Sequence, residues 1–284
     1  MSNVMTRNEG QISSVVKLAL REDIGNGDVT TQCTVPAEVT LTGRFIAREP
    51  GVIAGLEVVK ETFSQVDDRV QLTFRFTDSE SVERGDIIVM VKGPGRAVIS
   101  GERVALNFLQ RMSGIATLTR RFVEAVQGMS AVILDTRKTV PGLRVLDKWA
   151  VRLGGGQNHR FDLSDASLIK ENHIVAVGGI SEAVARVQKG DKEKRQMEVE
   201  VRTMDELRET LELRIDRIML DNMNLEDIRE AVQLCNGRIP LEASGNITLE
   251  NVAAIAATGV DYISIGMLTH SVQALDITFL LDRQ

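Results

Sequence analysis

The chain changes rhythm along its length. Ile12, Val15, Val16, Ala19 and Leu20 fall at i, i+3, i+4, i+7 and i+8, which predicts a helix over about Gln11–Leu20. That helix runs into Glu22–Asp28, a stretch dense in turn formers. From Val39 the period becomes two. Leu41, Gly43, Phe45 and Ala47 alternate with polar neighbours, as do Val70, Leu72, Phe74 and Phe76, and a helical pattern over Leu56–Val66 separates these strands. Gly85-Asp86 and Gly93-Pro94-Gly95 punctuate two short apolar strands, Ile87–Val91 and Ala97–Ile99. The pattern predicts an α+β sandwich domain over residues 1–110, with the domain boundary near the start of a long helix over about Gly101–Val126 that follows it.

Beyond that helix, short β-branched runs recur at Val132–Leu134, Leu168-Ile169, Met197–Val199, Arg217–Leu220, Ile239–Leu241 and Tyr262–Ile265. Helical patterns lie between most of them, at Leu143–Leu153, Ser181–Gln188, Met204–Leu211, Leu225–Leu234 and Leu249–Ala257. Alternating strand and helix with short connections means parallel βαβ units. No Gly-x-Gly-x-x-Gly follows any strand, which favours a (β/α) barrel of about six parallel strands over a doubly wound dinucleotide fold. The barrel is assigned to 111–270, and 271–284 is expected to return to the N-terminal domain or to a partner chain.

Composition narrows the function. The 284 residues carry 34 Lys and Arg against 40 Asp and Glu, a net charge of −6, which argues against a nucleic-acid partner and against anionic membrane surfaces. Three histidines and two distant cysteines, Cys33 and Cys235, exclude a cysteine-rich zinc module and a disulfide scaffold. The first residues lack the apolar core of a signal peptide, and no run is long enough to span a bilayer, so a cytoplasmic location is expected.

The chemistry collects at the strand ends, which share one mouth in a (β/α) barrel. The window Asp135–His173 reverses the overall balance, with seven cationic side chains against five anionic ones. Arg137, Lys138, His159, Arg160 and Lys170 suit a substrate with several negative charges, since arginine grips planar anions through a bidentate fork. The competing reading is a solvated basic face paired to Asp135, Asp147 and Asp165. Glu200 and Asp221 end adjacent strands, and either binds a hard cation such as magnesium or pairs with Lys138 or Lys170. Ser244-Gly245-Asn246 and Ser264-Ile265-Gly266 close the barrel, where glycines let backbone N–H groups approach a phosphate. Cys33, Cys235, Trp149, Tyr262 and His270 read as structural.

Several longer motifs carry a resemblance that covers nearly the whole chain. They are Ala19–Thr31, Gly101–Asn107, Asp135-Thr136-Arg137-Lys138-Thr139, Pro141–Arg144, Gly154–Arg160, Leu168–His173, Glu198–Val201, Met219–Asn222 and Glu242–Gly245. Together they resemble the quinolinate phosphoribosyltransferase family of NAD biosynthesis. The resemblance implies an incomplete barrel behind the sandwich domain, and a homodimer or multiple of dimers with each site shared between subunits. It implies quinolinate and phosphoribosyl pyrophosphate as substrates and Mg2+ as cofactor. Arg103 would reach into the partner's site and join Thr136, Arg137, His159, Arg160 and Lys170 around the quinolinate dicarboxylate. Lys138, Glu200 and Asp221 would be catalytic at the ribose, with the two carboxylates on the metal. Ser244, Gly245, Asn246, Ser264, Ile265 and Gly266 would hold the 5′-phosphate. Two departures adjoin that phosphate site: Asn246 stands where a second glycine is usual, and Met267 where alanine is common. A molybdate-associated paralogue, a Schiff-base aldolase barrel built on Lys138 or Lys170, and a non-catalytic anion-binding module are the rivals.

Overall fold

A computed structural model describes residues 2–282, with side chains from Gly10 onward; the ends of the predicted segments 1–110 and 271–284, at residues 1, 283 and 284, lie outside the described residues. The elements run α1 (Ser2–Ile24), α2 (Val29–Thr34), β1 (Thr40–Ala47), β2 (Gly51–Val52), α3 (Leu56–Val66), β3 (Gln71–Phe74), β4 (Ser81–Val82), β5 (Ile87–Pro94) and α4 (Gly95–Ala125). They continue with β6 (Val132–Leu134), α5 (Arg144–Leu153), β7 (Ser167–Ile169), α6 (Glu171–Val177), α7 (Ile180–Gly190), β8 (Met197–Val201) and α8 (Met204–Thr210). The chain closes with β9 (Arg217–Asp221), α9 (Leu225–Cys235), β10 (Leu241–Ser244), α10 (Val252–Ala256), β11 (Tyr262–Ser264), α11 (Met267–His270) and β12 (Ile277–Leu281).

The chain divides into two compact units. One comprises residues 1–120, 139–155 and 268–284, and the other 121–138 and 156–267. Its borders differ from the consecutive segments 1–110, 111–270 and 271–284, because α5 belongs with the first unit. Strand-to-helix rhythm assigns α5 to the barrel, but its contacts lie elsewhere. Asp147 is fully buried and takes a two-pronged hydrogen bond from Arg111 of α4, at 2.9 Å on each oxygen.

The first unit holds an antiparallel sheet in the order β12-β1-β5-β3. In β1 the buried positions Gly43, Phe45 and Ala47 alternate with more exposed ones, as the period-two pattern predicts. Phe45 packs on Phe279 at 4.9 Å between ring centroids and on Phe63 of α3 at 6.3 Å, and Ile53, Val59, Ile88 and Leu109 complete the core around them. The segment predicted as a strand at Ala97–Ile99 is instead the first turn of α4. A three-residue apolar run has no period of its own. Its buried Val98 continues a helical stripe through Ala105, Leu109 and Met112.

The C-terminal stretch is pinned to this unit twice. β12 pairs antiparallel with β1, from Ala47 opposite Ile277 to Gly43 opposite Leu281. Upstream, the Leu275 N–H donates to the Gln110 carbonyl at 3.0 Å, and Gln110 Nε2 donates to the Ile277 carbonyl at 2.7 Å. Gly114 makes that approach possible, since a Cβ there would sit 2.1 Å from the Gln273 carbonyl oxygen. Gly114→Ala is therefore expected to destabilise the protein by about 3 kcal/mol, read as a lower denaturant midpoint at unchanged slope. An unchanged midpoint would show that the segment does not need this contact.

The second unit is a parallel six-stranded sheet in the order β6-β11-β10-β9-β8-β7. Taken as a ring, the strands follow chain order and only the β6/β7 pairing is missing, which makes this an incomplete barrel. The segment 156–160 occupies that seam. The Gln157 N–H donates to the Ile133 carbonyl at 2.8 Å, and the Asp135 N–H donates to the Gln157 carbonyl at 3.1 Å. The helices start close behind the strands because polar side chains cap them. Thr203 caps α8 through Glu206 N–H, and Asn224 caps α9 through the N–H groups of Glu226 and Asp227.

Candidate active site

Side chains two apart on a strand share a face, with a rise of about 3.3 Å per residue. β8 is buried along its whole length, yet it carries Glu198 and Glu200 on one face. β9 adds Arg217 and Asp221, β10 adds Glu242 and Ser244, and β11 adds Tyr262 and Ser264. The registers set Glu198 beside Arg217, Glu242 beside Tyr262, and Ser244 between Asp221 and Ser264. The barrel wall thus bears two polar tiers, one at the strand ends and one roughly 7 Å below it.

In the upper tier, Lys170 Nζ lies 2.8 Å from Glu200 Oε2, so one of the predicted lysine–glutamate pairs exists. Asp221 Oδ2 receives Arg202 Nε at 3.3 Å, and Arg202 also holds Glu171 at 2.5 Å. Arg202 had no sequence signal, being one more cation directly after a strand. The Lys138 N–H donates to Thr136 Oγ1 at 3.0 Å, which shapes the turn carrying Arg137. His173 contributes to capping α6 through the Lys170 N–H.

The two loops expected from the sequence to meet a phosphate, after β10 and β11, show why their sequences are what they are. The Asn222 N–H donates to the Ser244 carbonyl at 2.8 Å, and Asn246 Nδ2 donates to Asn222 Oδ1 at 3.0 Å. Gly245 has φ 97°, and a Cβ there would meet Asn222 Oδ1 at 2.2 Å, so only glycine fits. Asn246 has φ 52°, a left-handed conformation that asparagine tolerates better than most side chains. Ile265, after β11, donates its N–H to the Leu134 carbonyl at 2.9 Å and leads into Gly266.

Arg137 and Arg160 face the question of an anion directly. The Nε atom of each is buried with no hydrogen-bond partner. Arg160 Nη1 is spent on the Ala166 carbonyl at 2.9 Å. Burial first, and then the like charge of Arg137, push the Arg160 guanidinium below its ordinary pKa. Buried donors without acceptors cost stability unless a ligand supplies the acceptors.

Of the lower tier, sequence reasoning singled out His159 and missed its neighbours Arg217, Glu242 and Tyr262, although Glu242 shares parity with Ser244. His159 Nε2 is 3.0 Å from Glu198 Oε2 and 3.6 Å from Glu242 Oε1. Arg217 Nη1 donates to Glu242 Oε2 at 2.9 Å while its guanidinium lies 4.0 Å from the centre of the Tyr262 ring. His159, Glu198 and Glu242 are close enough for a shared metal ion. His159 Nδ1, however, accepts the Arg160 N–H at 2.7 Å, so the ring proton sits on Nε2, which then has no lone pair for a metal. Burial, and then the neighbouring Glu198, push Glu242 up to about 7.

Of the predicted site residues, Thr136, Arg137, Lys138, His159, Arg160, Lys170, Glu200, Asp221, Ser244, Gly245, Asn246, Ser264, Ile265 and Gly266 all lie in the second unit, while Arg103 is exposed on α4 in the first. Two family models cover the chain: the N-terminal domain of quinolinate phosphoribosyl transferase over residues 28–113 and its C-terminal domain over 115–280. This chain belongs to the quinolinate phosphoribosyltransferase family.

A relative from Nicotiana tabacum, the mitochondrial quinolinate phosphoribosyltransferase [decarboxylating] 2b, is 46% identical over 96% of this chain and 83% of its own. A probable nicotinate-nucleotide pyrophosphorylase [carboxylating] of Bacillus subtilis is 44% identical over 95% and 93%. The solved nicotinate-nucleotide pyrophosphorylase of Francisella tularensis superposes with a TM-score of 0.92 at 40% identity, covering 97% of each chain. The family fold, an antiparallel sheet domain followed by a parallel six-stranded one, is the fold described above.

Glu242 gives this family member a testable pH signature. Its pKa is raised on folding from 4.5 to about 7, so its stabilising contribution is complete below 4.5 and is lost as pH rises through 7. The stability difference between the native protein and Glu242→Gln should shift against the native protein by about 3 kcal/mol over that window. Urea unfolding of both at a series of pH values checks this, and a constant difference would refute it.

Proposed function

We propose that this chain transfers the phosphoribosyl group of phosphoribosyl pyrophosphate to quinolinate with loss of the 2-carboxylate, giving nicotinate mononucleotide, CO2 and pyrophosphate. The observation that carries the reading is the pair of buried, unspent Nε–H donors on Arg137 and Arg160. A planar dicarboxylate supplies acceptors of the right charge to both. Thr136 and Lys170 stand around them, His159 backs Arg160, and Arg103 is supplied by the partner subunit of a homodimer or a multiple of dimers.

Lys138, Glu200 and Asp221 act at the ribose. The pyridine nitrogen attacks C1 as pyrophosphate leaves, and positive charge develops on the ring oxygen and C1. Glu200 and Asp221 stabilise that charge electrostatically, and Lys138 sits between pyridine and ribose. The pyridinium so formed stabilises the electron pair left on C2 as the 2-carboxylate leaves as CO2, and C2 then takes up a proton from solvent. No base is needed, because the attacking nitrogen carries no proton. The arginine clamps keep nitrogen and C1 in line, which converts binding into rate.

Carboxylate oxygens are the ligands magnesium prefers, so Glu200 and Asp221 fit it in chemistry. Each is also paired to a cation, Lys170 or Arg202, so neither forms a bare cradle. Magnesium would be held by these carboxylates together with substrate oxygens, and it would neutralise the departing pyrophosphate. The 5′-phosphate belongs on Ser244, Gly245, Asn246, Ser264, Ile265 and Gly266. Among the described residues no helix is long and apolar enough to cross a membrane, and we place the enzyme in the cytoplasm.

The test is an assay with quinolinate, phosphoribosyl pyrophosphate and magnesium, following nicotinate mononucleotide and CO2. Turnover of nicotinate but not quinolinate would overturn the substrate. Arg137→Met should lower kcat/KM for quinolinate by about 100-fold while changing KM for phosphoribosyl pyrophosphate by no more than about threefold. Mixing Arg103→Ala and Lys138→Ala chains should restore part of the activity through hybrid dimers. Hybrids that form but stay inactive would refute the shared site.

A further inference from the structure

At the N-terminal ends of the barrel strands lies a cavity of about 280 Å3, lined by His159, Arg160, Glu198, Arg217 and Tyr262 among others. It opens onto the lower polar tier, which none of the steps above employs. A continuous chain of contacts runs through that tier. The Tyr262 ring carries the Arg217 guanidinium, Arg217 grips Glu242, and Glu242 stands with Glu198 around His159 Nε2. His159 Nδ1 then receives the Arg160 N–H, and the His159 N–H itself is held by Asp135 Oδ1 at 2.9 Å.

His159 Nδ1 is thus engaged by the Arg160 N–H, and Nε2 faces the Glu198 carboxylate at 3.0 Å. We propose that Glu198 and Glu242 are positioning residues: they seat His159 so that its Nδ1 holds the Arg160 backbone, and His159 orients Arg160 without itself contacting the substrate. This rests on the reading of Arg160 as a quinolinate ligand. Geometry supports it from both sides. Arg160 sits on irregular backbone in the barrel seam, where no strand ladder fixes it, so the imidazole provides a fixation that the sheet does not. Glu242 is fully buried and Glu198 nearly so, which keeps the anchor in one rotamer.

Only three histidines are present, so two-bond 1H–15N spectra of the imidazoles are resolvable, with His159→Gln assigning the signal. His159 is expected as the Nε2–H tautomer in the free enzyme and unchanged on adding quinolinate. An Nδ1–H tautomer in the free enzyme, or protonation of both nitrogens on binding, overturns the proposal. In steady-state kinetics Glu198→Ala should raise KM for quinolinate by about tenfold, leaving that for phosphoribosyl pyrophosphate within about twofold. Glu198→Gln, which keeps an oxygen facing Nε2–H, should recover most of the loss, and formate entering through the cavity should partly rescue the alanine variant. Equal rises in both KM values, or none, overturn the proposal. If Glu198→Ala does not fold, the tautomer and the Gln variant decide. Absence of quinolinate turnover in the native enzyme would sink the substrate reading alone, since the free-enzyme tautomer tests the seating of His159 independently.

Discussion

Charge buried inside a ring of strands must be compensated from within the ring. Asp135, Glu198, Glu200 and Glu242 are all buried in the barrel unit. Lone ionised carboxylates in such a place would cost several kcal/mol each. The protein meets this cost with partners whose positions are themselves constrained. Asp135 receives Asn158 and the His159 N–H, Glu200 receives Lys170, and Glu242 receives Arg217 and holds a proton up to near neutrality. The compensations of Asp135 and Glu200 fix Asn158, His159 and Lys170 next to the strand ends, so the solvation of the interior and the geometry of the site are linked.

The two tiers divide that labour. The upper one pairs each carboxylate with a partly exposed cation, Lys170 or Arg202, that stays within reach of an incoming anion. In the lower tier the partners are less exposed: Arg217 on Glu242 and His159 beside Glu198. A site that must bind a polyanion and release another needs the first kind of pairing where exchange occurs and the second where it does not.

Much of this was legible in the amino-acid order. Strand ends at Asp135, Lys170, Glu200, Asp221 and Ser244 followed from β-branched runs and their polar continuations, because period two fixes facing as well as position. Gly245-Asn246 read as a phosphate loop, and the left-handed backbone explains the asparagine. Other features were hidden. Ala97–Ile99 is too short to display a period. α5 follows a barrel strand yet packs in the other unit, since Arg111 seeks Asp147 over thirty residues away, which no local pattern encodes. Glu242 looked like an ordinary polar residue in a strand, because pairing with Arg217 and His159 depends on barrel closure and register.

The unpaired seam between β6 and β7 has a consequence for how such a barrel diversifies. A ladder strand cannot gain or lose a residue without turning every later side chain to the opposite face. The seam segment at 156–160 makes a single β-bridge, between Leu134 and Gln157, and is otherwise held by side-chain hydrogen bonds to Asp135 and the Ala166 carbonyl. It is the one stave of the barrel free of that register rule. A change of length there leaves the five strand pairings of the sheet in register, so the gap is where the fold tolerates such a change at least cost.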